Sequence, residues 1–293
     1  MRKNKFIAQY LPFAALLMFA VACAEAPKND EADQEEVTAV DSTEMENDEA
    51  MVEEDNSFML PSPIQIAAIF NRAGLGFESG LTNPPENLSK YNTKTSKYLN
   101  FGVYSADLAY VVLNEQQQAS IDYLNVVKKL SDEIGMPSVF GSGKLIQSFE
   151  KNINNQDTVL RILTTIKRRT DEYLEENEEK SKEAIFFSAA WLEGMYLGAN
   201  SSSDKEKLTP RLLEQMTILD NVIKAIKVQN DPTLDMDFMV AGLTDLLNTF
   251  EGFESIKALD ETDSSFESVQ LTDEEMNQLN SKIESLRNDV ING

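Results

Sequence analysis

The chain of 293 residues contains no histidine, a single cysteine and a single tryptophan. Without histidine there can be no Ser-His-Asp or Cys-His nucleophilic centre and no His-bound zinc, and the commonest general base is missing. One cysteine, Cys23, cannot close an intramolecular disulfide. Basic side chains are scarce as well: 26 Lys and Arg stand against 50 Asp and Glu, a net charge of −24. That balance argues against nucleic acid, whose phosphates need Lys and Arg to neutralise them.

What is present begins with a positive patch, Arg2, Lys3 and Lys5, followed by an apolar run from Leu11 to Ala22 broken by one proline. These are the parts of an export signal. The run is too short to anchor the chain, since a helix needs about 20 residues to cross a hydrocarbon core about 30 Å thick. Its last residues, Ala20-Val21-Ala22-Cys23, resemble a bacterial lipobox. The resemblance implies cleavage after residue 22, a diacylglycerol on the Cys23 thiol and a membrane partner held through that lipid. Stable attachment takes more than one acyl chain, so a multiply acylated Cys23 would hold by itself.

Residues 24–57 contain fourteen Asp or Glu, one Lys and no aromatic residue. Such a segment cannot bury enough apolar surface to order itself and is expected to be an acidic tether from residue 23 to residue 57. A flexible chain of that length spans about 30 to 35 Å. The acidic run also resembles the export signals that carry Bacteroidota lipoproteins to the cell surface, so either face of the outer membrane fits. Residues 58–293 keep 22 basic against 36 acidic residues.

Those remaining residues suffice for one sizeable core, and apolar residues recur along them at helical spacing, with no convincing strand. The pattern predicts an all-α domain, a bundle or array of antiparallel αα-hairpins with about nine helices and no sheet, near 62–73, 93–114, 116–134, 142–153, 157–176, 180–199, 210–229, 236–257 and 273–291. Ser62-Pro63 and Thr209-Pro210 read as helix starts, because a hydroxyl caps and proline suits the first helical position. Leu271-Thr272-Asp273-Glu274-Glu275-Met276 reads as a capping box with a staple. Gly74 and Gly135 mark stops. No register satisfies a tetratricopeptide repeat, which favours a bundle.

Two glycine motifs fail as nucleotide sites and leave no cofactor implied. Gly141-Ser142-Gly143-Lys144 lacks both flanks of a phosphate loop and reads as a helix start. Gly74-Leu75-Gly76 follows a helix, not a strand, and reads as a stop and a turn. The acidic clusters at 231–237 and 260–267 lack the spacing of a calcium loop and read as solvated, so no metal site is expected.

The chemically suggestive residues are carboxylates inside apolar helices. Asp107 has Val103, Tyr104, Tyr110 and Val111 one turn away, and Glu193 lies between Trp191 and Tyr196. A buried carboxylate must be paired or must raise its pKa and keep a proton. Tyr104, Asp107, Trp191, Glu193 and Tyr196 are therefore the candidate ligand-pocket residues. Gly194 and Gly198 form a small-xxx-small pair suited to close helix packing. Gly102 to Leu108 and Trp191 to Tyr196 resemble segments of all-helical Bacteroidota lipoproteins of unassigned activity, which implies fold and location only.

Two readings of function follow. One is a lipid-anchored envelope module that binds a protein, peptide or small ligand and catalyses nothing. The other is a glycosidase-like hydrolase built on Asp107 and Glu193, which would need the two carboxyls about 5 to 9.5 Å apart flanking an open cleft.

Overall fold

Ser62 and Pro63 open the first helix as their sequence suggests. The computed structural model describes residues 61–258 and 269–293. In α1, Pro63–Arg72, the Ser62 hydroxyl accepts the Gln65 N–H, and the Gln65 side chain accepts the Ser62 N–H at 2.6 Å. The helix stops before Gly74, whose φ of 97° lies in the left-handed region that suits glycine.

The chain continues through α2 (Lys94–Leu113), α3 (Gln117–Glu133), α4 (Lys144–Lys151), α5 (Gln156–Glu176) and α6 (Glu183–Asn200). There follow α7 (Lys205–Met216), α8 (Leu219–Val228), α9 (Asp237–Gly252), α10 (Glu254–Lys257) and α11 (Asp273–Asn292). Short 3-10 turns lie at Pro85–Lys90, Pro137–Val139 and Lys180–Lys182. The described residues contain no strand, so the chain is all-α, with eleven α-helices among them instead of about nine.

The centre is the pair α2 and α6. Both are apolar around nearly their whole circumference, as a helix must be when neighbours cover every face. They approach closely at Gly102, where a Cβ would stand 2.2 Å from the Phe186 carbonyl oxygen. On another face of α6, a Cβ at Gly194 would meet Ile66 at 2.8 Å and one at Gly198 would meet Phe70 at 2.9 Å. The small-xxx-small pair therefore seats α1 directly on the α6 backbone. Around this centre, α3 packs on α2, and α11 packs on α6, α9 and α2.

Several boundaries differ from the sequence reading. Thr209-Pro210 does not start a helix: α7 begins at Lys205 behind Asp204, whose carboxylate accepts the Glu206 N–H at 3.1 Å. Pro210 lies inside α7, where its missing N–H frees only the carbonyl of exposed Glu206. The expected helix 210–229 is two, broken at Thr217 and Ile218. Leu212, Met216, Leu219, Ile223 and Ile226 are all buried, and their even spacing runs through the break and hides it. The Thr217 hydroxyl donates to the Glu214 carbonyl at 2.7 Å and closes the first helix there. The expected helix 236–257 breaks at Phe253, which adopts an extended backbone and stays buried against Phe250.

Other starts stand as read. Gly143, at φ 81°, precedes α4, which begins at Lys144, and Gly135 turns at φ 90°. The Thr272 and Glu275 box caps α11, and the Glu275 carboxylate also accepts from Ser255 at 2.6 Å. The cluster at 231–237 is not merely solvated. Asp231 accepts Lys94 Nζ at 2.7 Å and stands 3.6 Å from Lys182 Nζ, so it pins the loop before α9 to α2 and to the turn before α6. The export signal, Cys23, the acidic tether and the whole 260–267 cluster lie outside the described residues.

Candidate functional site

Asp107 and Glu193, from the two central helices, meet in the core of the domain. Both side chains have 0% exposure. Helix α11 brings Arg287 to them because it follows the core stripe residue Leu286 by one position and sits one turn after Ile283. Its guanidinium donates Nε–H and Nη2–H to the two oxygens of Glu193, each at 2.9 Å. This is the bidentate fork that makes Arg–carboxylate pairs strong and oriented. Nη2 also donates to the Leu81 carbonyl at 3.2 Å, and the guanidinium carbon lies 4.1 Å from the Tyr196 ring centroid.

Asp107 is bound differently. Its Oδ2 accepts the Asn83 N–H at 3.1 Å, whereas Oδ1 is buried with no donor among the described residues. The Glu193 carboxyl is a close neighbour of Asp107. One guanidinium thus faces two carboxyls, and a net negative charge in a dry interior is costly. Burial first, and then the neighbouring Glu193 charge, hold the Asp107 carboxyl well above the usual carboxylate range; Arg287 and the Asn83 N–H pull only part of the way back. A protonated Asp107 can donate toward Glu193 and so satisfy its own orphaned oxygen.

These groups hold an inward-running segment of backbone, Leu81 to Pro84. Tyr123 donates to the Thr82 hydroxyl at 2.7 Å and its hydroxyl lies 3.1 Å from the Asn83 carbonyl, while Tyr104 donates to the Pro84 carbonyl at 2.8 Å. Asn83, itself fully buried, donates to the Tyr91 hydroxyl at 2.9 Å. Asn83 is the buried residue of this segment, and its polar groups must be satisfied; this network does it. Burial raises the Tyr104 and Tyr123 hydroxyls above the ordinary tyrosine range, which keeps them neutral donors.

Of the five residues singled out in the sequence, Asp107, Glu193 and Tyr196 converge around Arg287, and Tyr104 supports the same loop. Trp191 is also at 0% exposure, but it lies two residues before Glu193 and so points to the other side of α6. The carboxyls are sealed together by structural bonds and do not line an opening. Carboxylate hydrolysis needs an acid and a base with space for substrate between them, and this pair leaves none.

An opening exists elsewhere. A groove of about 100 Å³, partly open to solvent, runs between α5 on one side and α2 and α6 on the other, with Pro61 to Ile64 at one end. Phe101, Leu108, Leu163, Ile166, Leu174 and Phe186 are among the residues that make it apolar. Its charged lining residues are Lys167, Asp171 and Glu183. Lys167 Nζ stands 2.5 Å from Asp171 and 3.8 Å from Glu183. None of these residues stands out in the sequence, because each fits an ordinary amphipathic helix. Arg287 was equally hidden, although an arginine one turn from a core isoleucine, in a chain with two apolar-flanked carboxylates, is a usable signal.

Comparison with known proteins finds no matching family model, no matching curated protein and no matching solved structure.

Proposed function

We propose that this chain is a lipid-anchored, non-catalytic binding module of a bacterial cell envelope, carried on the outer membrane through Cys23 and similar in kind to the all-helical Bacteroidota lipoproteins. Support for the anchor comes from the sequence: the basic start, the short apolar run ending at Cys23, and the acidic segment behind it. The observation that carries the binding role is the groove between α5 and the central helices, open to solvent and mostly apolar with a few polar groups, which is the usual make-up of a ligand site.

The hydrolase reading draws no support from this geometry, because its two carboxyls have no exposed surface and are committed to Arg287, Asn83 and each other. The binding role is tested with an uncharged amphiphilic probe, dodecyl maltoside below its micelle concentration, titrated calorimetrically into the chain. One site per chain that disappears in Ser105→Phe, which fills the groove floor, supports the reading. No saturable binding contradicts it.

A further inference from the structure

The groove's charged rim restricts what it can hold, and this inference rests on the groove being the binding site. Along α5 the lining residues run from Leu163 to Leu174, eleven rises or about 16 Å of helix. The wall along that length is apolar apart from Thr170 and the charged residues at the rim. An extended alkyl chain can run along an apolar wall of this length.

The charged rim, with Lys167 against Asp171 and Glu183, is net acidic. Lys167 is the one cation among the described lining residues, and Asp171 already holds it at 2.5 Å. An anionic head group would meet Asp171 and Glu183, with Lys167 already paired to them. Glu183 is the looser partner, 3.8 Å from Lys167, and its side chain is 34% exposed. Burial on the groove wall raises the Glu183 carboxyl above its ordinary range, against the pull of Lys167 and Lys180, so a further positive charge beside it would be favourable. The folded part as a whole adds to the same field, with 36 acidic against 22 basic residues in 58–293.

We infer that the groove binds a single-chain amphiphile with a positively charged head, the alkyl chain lying along α5 and the cation between Glu183 and Asp171. A cationic lipid-like molecule or a surfactant-like amine has this chemistry; a fatty carboxylate does not.

The test compares dodecyltrimethylammonium, dodecanoate and dodecyl maltoside, each below its micelle concentration, by calorimetry on the full chain carrying Cys23→Ser so that no acyl group of its own competes. The expected result is one site per chain for the cation, with binding at least tenfold weaker for dodecanoate. That preference should fall to within threefold when Glu183→Gln and Asp171→Asn are combined, both at half-exposed positions. Ser105→Phe should abolish binding of all three. Equal or tighter binding of dodecanoate, or a cation preference that survives the rim substitutions, overturns the inference about the head group and leaves the groove as a site. Binding of none of the three, or binding that survives Ser105→Phe, removes the groove as a site and takes the proposed function with it.

Discussion

Arg287 and Glu193 lie ninety-four positions apart in sequence, yet the guanidinium of one grips both oxygens of the other at 2.9 Å in the sealed centre of the domain. The pair joins α11 to α6, and Asp107 extends it to α2. Removing one partner of a buried pair costs about 3–5 kcal/mol, because the other charge is left unmatched. Glu193→Ala is expected to lose stability on that scale in urea unfolding, and an effect below about 1 kcal/mol would show that the pair is not sealed.

Asp107→Asn should behave in the opposite way. The amide keeps an acceptor for the Asn83 N–H and supplies a permanent donor toward Glu193, so the stability at pH 7 should be unchanged or higher. Asp107→Ala, which also opens a cavity, is expected to cost about 2 kcal/mol or more.

The same residue sets a pH dependence. Its folded pKa is raised, so the folded state holds the proton more tightly. The stabilisation is complete below the unfolded value of about 3.9 and is lost as pH rises toward the folded value, at up to about 1.4 kcal/mol per pH unit. Glu275, drawn down to about 2 by Ser255 and Thr272, acts in reverse but only in acid, below about pH 5. Urea midpoints should therefore decline above pH 5 in the wild type and flatten in Asp107→Asn. Parallel curves for the two proteins would refute the shared proton.

Gly102 separates two backbones. A methyl there would stand 2.2 Å from the Phe186 carbonyl oxygen, so Gly102→Ala must push α2 away from α6. The expected cost is about 1–3 kcal/mol or more. Gly252→Ala is the control: nothing lies within 4 Å of its added Cβ, and it should be neutral or slightly stabilising.

How far the sequence foretells this architecture can be read from particular residues. Ser62-Pro63 and the Thr272 box locate helix starts because capping is a local interaction between neighbours in sequence. The break at Thr217 and Ile218 is invisible because burial periodicity, the strongest signal, passes through it unchanged. Asp107 and Glu193 stand out as acids among apolar neighbours, but whether such acids face a cleft or a guanidinium depends on α11, which arrives from far along the chain. The groove has no signal at all, since it is a space between helices lined by residues indistinguishable from core.

The central claim, a binding module held to a membrane by one lipidated cysteine, is tested most directly by fractionating cells that express the wild type and Cys23→Ser. The account predicts that the wild type sediments with membranes and carries the mass of attached acyl chains, whereas Cys23→Ser moves to the soluble fraction with its helical content intact. A Cys23→Ser chain that stays with the membrane, or a wild type without added acyl mass, would contradict it.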